Sequence, residues 1–420
     1  MHVQQLFRFA TILGLCSMIA SGADWPQFRG PQRDGKSAET GLLQSWPEQG
    51  PKLLWQRDDI GDGYATPSVV GSRVYVLGNR GMANEYVQAL SVEDGKQVWS
   101  TRIGQVGNPD QRPPFPKARS TPTVDGELLF ALSSNGELVC LRTATGKQVW
   151  SKSLRNDFGG QPGTWAYAES PLVDGETLVV TPGGSEATLA ALNKRTGAVI
   201  WKSAIPGGDV AAYASAIAVR AAGRKQYIQF LDEGVAGVDA GTGEFLWRYE
   251  RTSNGPANIP TPVIHGNYVY SANARRFGAA LVQLHATSAG IEAEEVYFKR
   301  EAPNTLGGQV LIDGHLYGTN GEGLVAADFL SGEIAWQSEG GPGSVLYAEG
   351  HLYVHWESGG VSLVEATPES FREKGRFTPP SPPEHTINRE MAWTYPVVAN
   401  GRLYIRDLGT LWCYDVSASE

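Results

Sequence analysis

The sequence predicts an all-β fold: an eight-bladed β-propeller of four-stranded antiparallel blades, its ring closed by an N-terminal strand pairing with the last blade. Three observations carry this: a hairpin phrase that recurs down the chain, a second phrase ending in tryptophan that follows most copies, and complementary gaps near the two ends. The 51 glycines and 25 prolines, with only 19% charged residues, suit many short strands and tight turns rather than long helices.

The hairpin phrase pairs a threonine or serine with proline, then runs through an apolar alternation, a glycine turn and a second alternation rich in tyrosine. It reads ATPSVVGSRVYVLG from 65, STPTVDGELLFALS from 120, ESPLVDGETLVVTP from 169 and YASAIAVRAAGRKQYIQF from 213. It continues as PTPVIHGNYVYSAN from 260, GGQVLIDGHLYGTN from 307, GSVLYAEGHLYVHW from 343 and TYPVVANGRLYIRD from 394. Period-two alternation on both sides of a glycine turn is a strong short-range hairpin signal. Each copy therefore forms the inner two strands of a blade.

The second phrase supplies a third strand with a small residue, a glycine turn and a fourth strand ending in Trp99, Trp150, Trp201, Trp247 or Trp336. Degenerate copies span 281–298, where Tyr297 or Phe298 stands in for the tryptophan, and 361–377. The eighth copy ends after a third strand, LWCYD, while PKLLWQ ends in a lone Trp55 before the first hairpin begins. Residues 52–57 therefore complete the last blade and remove an exposed sheet edge. An indole laid between blades removes roughly 200 Å² from water, so the six tryptophans are assigned to blade docking rather than to ligand stacking. Cys140 and Cys413 fall in the third-strand slot that holds Ala89, Ala191, Gly237 and Ala326 elsewhere, in blades 2 and 8. That register predicts separate, buried, unpaired thiols.

His2 and Arg8 precede an apolar run over 9–20, the length of a signal-peptide core and too short to span a bilayer. The expected organisation is a signal peptide over 1–23, an extended segment over 24–51 and one propeller over 52–417. Cys16 is preceded by Leu15 rather than a small residue, which favours a periplasmic or secreted protein over a lipid-anchored one. No later segment is apolar for long enough to cross a membrane as a helix, and a monomer is expected. A net charge of −9 argues against nucleic acid, whose phosphates need clustered Lys and Arg.

The loops before the innermost strands gather at one mouth of a propeller, and those over 104–119, 153–168, 252–259 and 378–392 are long. Their last residues nominate Tyr64, Arg119, Tyr167, Glu169, Tyr213, Asn258, Asn304 and Trp393 as lining the channel mouth, a set suited to an elongated polar ligand such as a peptide or glycan. The alternative is that they line a water-filled channel and bond one another. The proline-rich stretches PFPKARS and FTPPSPPEH read as structural loops. His265 and His315 lie in hairpin turns and His351 just follows one, without metal-ligand spacing, so neither a metal site nor a catalytic set is predicted.

The AxDxxTGxxxW phrase, seen in VDAGTGEFLW and LRTATGKQVW, resembles the pyrroloquinoline-quinone repeat of quinoprotein alcohol dehydrogenases and of BamB-type outer-membrane assembly factors. The opening DWPQFRGP at Asp24 resembles the start of secreted quinoprotein-like propellers of planctomycete-type bacteria. The resemblance covers nearly all of the chain after residue 23 and implies the propeller fold. Quinoprotein dehydrogenases of this kind carry adjacent cysteines beside the quinone, and Glu, Asn and Asp around calcium. No CC pair or EF-hand-like run occurs here, so no cofactor is expected. The resemblance leaves three readings: a non-catalytic binding or scaffolding module for a protein or glycan in the cell envelope, a quinone-dependent dehydrogenase or other enzyme using Glu169, and an assembly factor of BamB type.

Overall fold

The computed structural model describes residues 23–107, 115–255, 257–273 and 278–418, so all but Ala23 of the predicted signal peptide, Cys16 included, lies outside the described residues. Eight sheets follow one another round a ring. Blades 1 to 7 span 68–104, 123–153, 172–203, 217–249, 263–299, 309–337 and 343–377, and blade 8 joins 397–415 to Lys52–Arg57. The closure is as predicted: Lys52–Arg57 pairs antiparallel with Thr410–Asp415. No helix among the described residues is long and apolar enough to cross a membrane.

Arg406 fastens that seam. Its guanidinium is fully buried and donates to the carbonyls of Leu408 in blade 8 and of Gly61, Ala65 and Leu77 on the blade 1 side, at 2.7–3.0 Å. Burial pulls its pKa down to about 9, against the opposing charges of Asp62 and Asp407.

The tryptophan phrase has a physical reason in the joints between blades. Each indole lies across its own blade from a small third-strand residue: Ala89 opposite Trp99, Cys140 opposite Trp150, Ala191 opposite Trp201, Gly237 opposite Trp247, Ala326 opposite Trp336 and Cys413 opposite Trp55. Both cysteines are buried and free. In the neighbouring blade, the turn glycine of the TG pair presses flat on the ring. Gly146 faces Trp99, Gly197 faces Trp150 and Gly243 faces Trp201, and a Cβ at any of them would stand within 3 Å of the indole. The indole N–H then donates to a carbonyl near the same turn, from Trp99 to Thr143, Trp150 to Lys194 and Trp336 to Thr367.

The two degenerate blades fill the slot differently. In blade 5, Tyr297 takes the position, with its hydroxyl donating to the Phe329 carbonyl at 3.0 Å and Gly332 against its ring. In blade 7 the slot residue is Gly375, and Trp46 from the N-terminal segment enters it, packing on Phe377 and Tyr353 at 5.3 and 5.8 Å.

The segment over 24–51 does more than extend from the ring: it threads the channel. Trp25 exchanges backbone hydrogen bonds with Val69 of blade 1, and the Pro26 carbonyl accepts from Val124 of blade 2. Arg33, buried, donates to carbonyls of Ser170 and Pro171 in blade 3 and Ala216 in blade 4. Arg29 reaches Gln309 of blade 6. Lys36–Ser37 adds a fifth, parallel strand to blade 7, and the Ser37 hydroxyl donates to Val398 of blade 8. One short stretch thus touches inner strands on opposite sides of the ring and plugs it.

Candidate functional site

A funnel opens above this plug. Its base is a cavity of about 120 Å³ floored by Phe28, which stands edge-on to Tyr395 at 5.3 Å. Arg119, Trp165, Ile259, Leu306 and Trp393 line both this base and a wider cavity of about 830 Å³, where Phe115, Asn304, Glu357, Asn388 and Arg389 join them. A polar side pocket of about 210 Å³, lined by Arg300, Asn304, Asn320, Glu322 and Gln337, shares Asn304 with the funnel.

Which nominated residues reach the funnel follows from the two-residue period of extended chain. Four positions before the inner strand stand Tyr64, Arg119, Ala168, Tyr213, Ile259 and Trp393, and all line the funnel. Two positions on, Thr66, Thr121, Ser170, Ser215 and Tyr395 face the base as well. Here the recurrent serines and threonines link blade to blade: Thr121 N–H donates to the Ser170 hydroxyl and Ser170 N–H to the Ser215 hydroxyl, each at 2.9 Å.

The structure brings together Tyr64, Arg119, Tyr213 and Trp393 by this rule, and Asn304 outside it, from five positions before its strand. Tyr167, Glu169 and Asn258 sit one residue out of phase and turn into the blades, because a one-residue slip reverses the face a side chain presents. The Tyr167 hydroxyl donates to the Pro182 carbonyl at 2.9 Å. Glu169 accepts from Thr181 N–H, and the Asn258 amide donates to the carbonyls of Leu231 and Asp232.

Two loops build one wall. Phe115, Lys117 and Arg119 come from the first proline-rich stretch, and Asn388, Arg389, Glu390 and Trp393 follow the second. A buried ion pair, Lys117 Nζ to Glu390 Oε1 at 2.5 Å, ties them together, and the Tyr64 hydroxyl donates to the same carboxylate. Burial and this contact push the Tyr64 pKa up. His385 and Trp412 hold the second loop from outside, through Asp407 at 2.9 Å and the Pro380 carbonyl at 3.0 Å. Trp393 packs against Phe115 and Tyr64 at 5.0 and 5.1 Å.

Charge inside the funnel runs opposite to that of the chain. Arg119 lies over the Tyr64 ring at 5.2 Å and donates through Nη2 to the Phe115 carbonyl. Among the described residues no carboxylate forms an ion pair with Arg119 or Arg389. Burial lowers the Arg119 pKa. Glu357 is the carboxyl lining the cavity, and burial lifts its pKa to about 7 despite a hydrogen bond from the Trp393 side chain. The Asn304 amide donates to the Arg300 carbonyl at 2.9 Å, leaving its buried Oδ1 without a partner.

The donors of a calcium–quinone site are not gathered here. Among the described residues no three His, Cys, Asp or Glu side chains are placed to hold a metal ion, both cysteines lie in blade joints, and Glu169 and Asn258 are engaged within the blades.

Carboxyls wholly or partly withdrawn from water make stability depend on pH. Burial raises Glu85 to about 8 and Glu169 and Glu357 to about 7, from 4.5. The folded state therefore holds protons that the unfolded state has lost, and stability declines as pH rises through 7 and 8. His355, which burial holds below its usual 6.5, opposes this only below pH 6.5. Between pH 6.5 and 8.5 the melting temperature should fall by roughly 2–5 °C. Glu85→Gln, which retains a neutral side chain against Ser134, should lessen the fall; a flat profile by calorimetry would contradict the assignment.

Residues 83–338, more than half of the chain, match the family model described as outer membrane protein assembly factor BamB. The tetrathionate hydrolase of Acidithiobacillus ferrooxidans is 26% identical over 260 residues, 53% of this chain and 48% of that protein, so the chain spans about half the length of this curated relative. In fold, the chain is similar to the crystal structure of BamB from Moraxella catarrhalis, with a TM-score of 0.60 and 16% identity over 87% of this chain and 99% of that one. It is also similar to the quinohemoprotein alcohol dehydrogenase of Comamonas testosteroni, with a TM-score of 0.63 and 13% identity over 94% and 81% of the two chains. With the repeat, the eight blades and this match in hand, the chain belongs to the pyrroloquinoline-quinone-repeat, BamB-like family of β-propellers.

Proposed function

We propose that this protein is a binding or scaffolding module of the cell envelope, periplasmic or secreted, and that the funnel takes part of a protein or glycan ligand. The observation that carries the reading is a dead-end, aromatic-walled cavity with an arginine that, among the described residues, forms no ion pair with a carboxylate. Rigid aromatic walls with a few convergent polar groups are the usual make-up of a ligand pocket. The BamB likeness supports an envelope setting and a protein partner, while the crowded joints use the other tryptophans for stability.

Tryptophan fluorescence gives the test, since Trp165 and Trp393 line the cavity. Titration with peptides and oligosaccharides should quench it saturably, and Trp393→Ala should weaken that binding by about tenfold or more. Saturation by pyrroloquinoline quinone with calcium alone, accompanied by new visible absorbance, would instead favour a dehydrogenase.

One observation favours a catalytic second reading. A cavity carboxyl whose pKa is about 7, as for Glu357, has the proton affinity that a general acid needs near neutral pH. The enzyme reading thus moves from Glu169, which turns into blade 3, to Glu357. Loss of a hydrolytic activity in Glu357→Gln with ligand affinity retained would support it; binding without turnover in the unaltered protein leaves the module reading ahead.

A further inference from the structure

The channel already holds a peptide, which is its own. Residues 24–37 cross it in successive turns, bonded at both ends by their backbone to inner strands: Trp25 to Val69, Pro26 to Val124 and Lys36–Ser37 alongside Tyr347 and Ala348. The bore is therefore of a size and polarity that polypeptide fills. The same segment closes it, with Phe28 as the floor of the free space. A ligand entering the funnel cannot thread the ring and has to enter end first.

The chemistry met on the way down is ordered. At the rim stand Asn388, the exposed Arg389 and the polar side pocket, with the buried, unpartnered Oδ1 of Asn304 between pocket and funnel. The walls are Phe115, Trp165, Ile259, Leu306 and Trp393. Level with Ile259 and Trp393, where the wide cavity narrows into the base, Arg119 faces both cavities, and Nη2 to the Phe115 carbonyl is its hydrogen bond among the described residues. An occupant that satisfies this sequence presents an anion at its leading end, an apolar or aromatic body immediately behind, and N–H donors trailing at the rim. A guanidinium in a desolvated, aromatic setting is suited to a carboxylate, which it can grip through two parallel hydrogen bonds.

We infer that the funnel captures the free C-terminus of a peptide chain whose last residue is apolar or aromatic, its α-carboxylate on Arg119 and its backbone N–H groups passing Asn304. This rests on the binding-module reading and narrows it: a glycan has no apolar body behind a leading acid, and an internal loop has no leading end. Glu357 offsets the attraction only in part, because burial raises its pKa to about 7 and leaves a large share of it neutral near neutral pH.

The test uses the full chain and a hexapeptide ending in phenylalanine, as the free acid and as the C-terminal amide, titrated by calorimetry. The acid should bind about 10- to 100-fold more tightly than the amide. Arg119→Gln should abolish that preference, so that acid and amide bind alike, and Arg119→Lys should restore part of it. Because Arg119 also braces the Phe115 loop, a second measurement avoids mutation altogether: phenylpropionate should displace the bound peptide from the unaltered protein, and phenylpropionamide should not. Equal binding of acid and amide, or an acid preference that survives Arg119→Gln in a folded protein, overturns the inference and leaves the binding-module reading intact. Binding of oligosaccharides with neither peptide does the same, whereas a funnel that takes no peptide and no oligosaccharide removes both.

Discussion

Arg406→Ala should lower the unfolding free energy by about 3–5 kcal/mol, measured as a drop in urea midpoint with little change in slope. Its guanidinium supplies hydrogen bonds to four carbonyls on the two sides of the ring seam. Removing it leaves those acceptors buried and unmade, at about 1–3 kcal/mol each, an expense only partly offset by no longer burying a charge. Gly63 passes so close that a Cβ there would stand 2.6 Å from Arg406 Nη2, so the space cannot simply collapse without moving the blade 1 approach. Arg406→Lys keeps the charge but not the fork, and should recover only a minor part of the loss. A change below about 1 kcal/mol for the alanine variant would mean that water replaces the guanidinium at the seam.

Trp201→Ala is expected to cost about 3–5 kcal/mol as well, for a different reason. The indole is 9% exposed, faces Ala191 within its blade and Gly243 across the joint, and packs on Tyr227 at 6.1 Å. Both small neighbours are small because the indole is there, so its deletion opens a cavity that they cannot fill. Trp150 occupies the same slot but is half-buried, and Trp150→Ala should cost less, at the lower end of that range. Thermal or urea unfolding of the pair gives the comparison; equal losses would show that burial at the joint does not set the energy. Neither variant should alter ligand quenching of the funnel, since neither residue lines it.

The ring was legible because its determinants are local and repeated. Alternation about a glycine turn marks each inner hairpin, and a small residue followed by TG and tryptophan marks each joint, so blades, register and the placement of Cys140 and Cys413 could be read from spacing. The stand-in at Tyr297 was legible as an aromatic in the right place, but Trp46 in the blade 7 slot was not. It is supplied from more than 300 residues away in sequence, opposite Gly375, and no local pattern connects the two. The threading of residues 24–37 was hidden for the same reason: its bonds run from Trp25, Arg29 and Arg33 to backbone carbonyls and amides, which carry no side-chain signature.

The candidate site was legible in half. Loops before the inner strands do form the funnel, yet Tyr167, Glu169 and Asn258, nominated as the ends of those loops, stand at positions whose side chains face the blades. The four-before-the-strand rule would have selected Ala168 and Ile259 instead, two residues with no functional groups to draw notice. Glu357 and Arg389 lie on a strand end and a loop outside the repeat phrase, so only the assembled ring brings them to Arg119.

The pairing of Lys52–Arg57 with Thr410–Asp415 also sets an order of events in time. The entropic toll for bringing such distant stretches together is met only once every intervening blade exists, so an emerging chain has no native resting place for its first strand. Until then the last blade keeps an unpaired edge and the ring is an open arc.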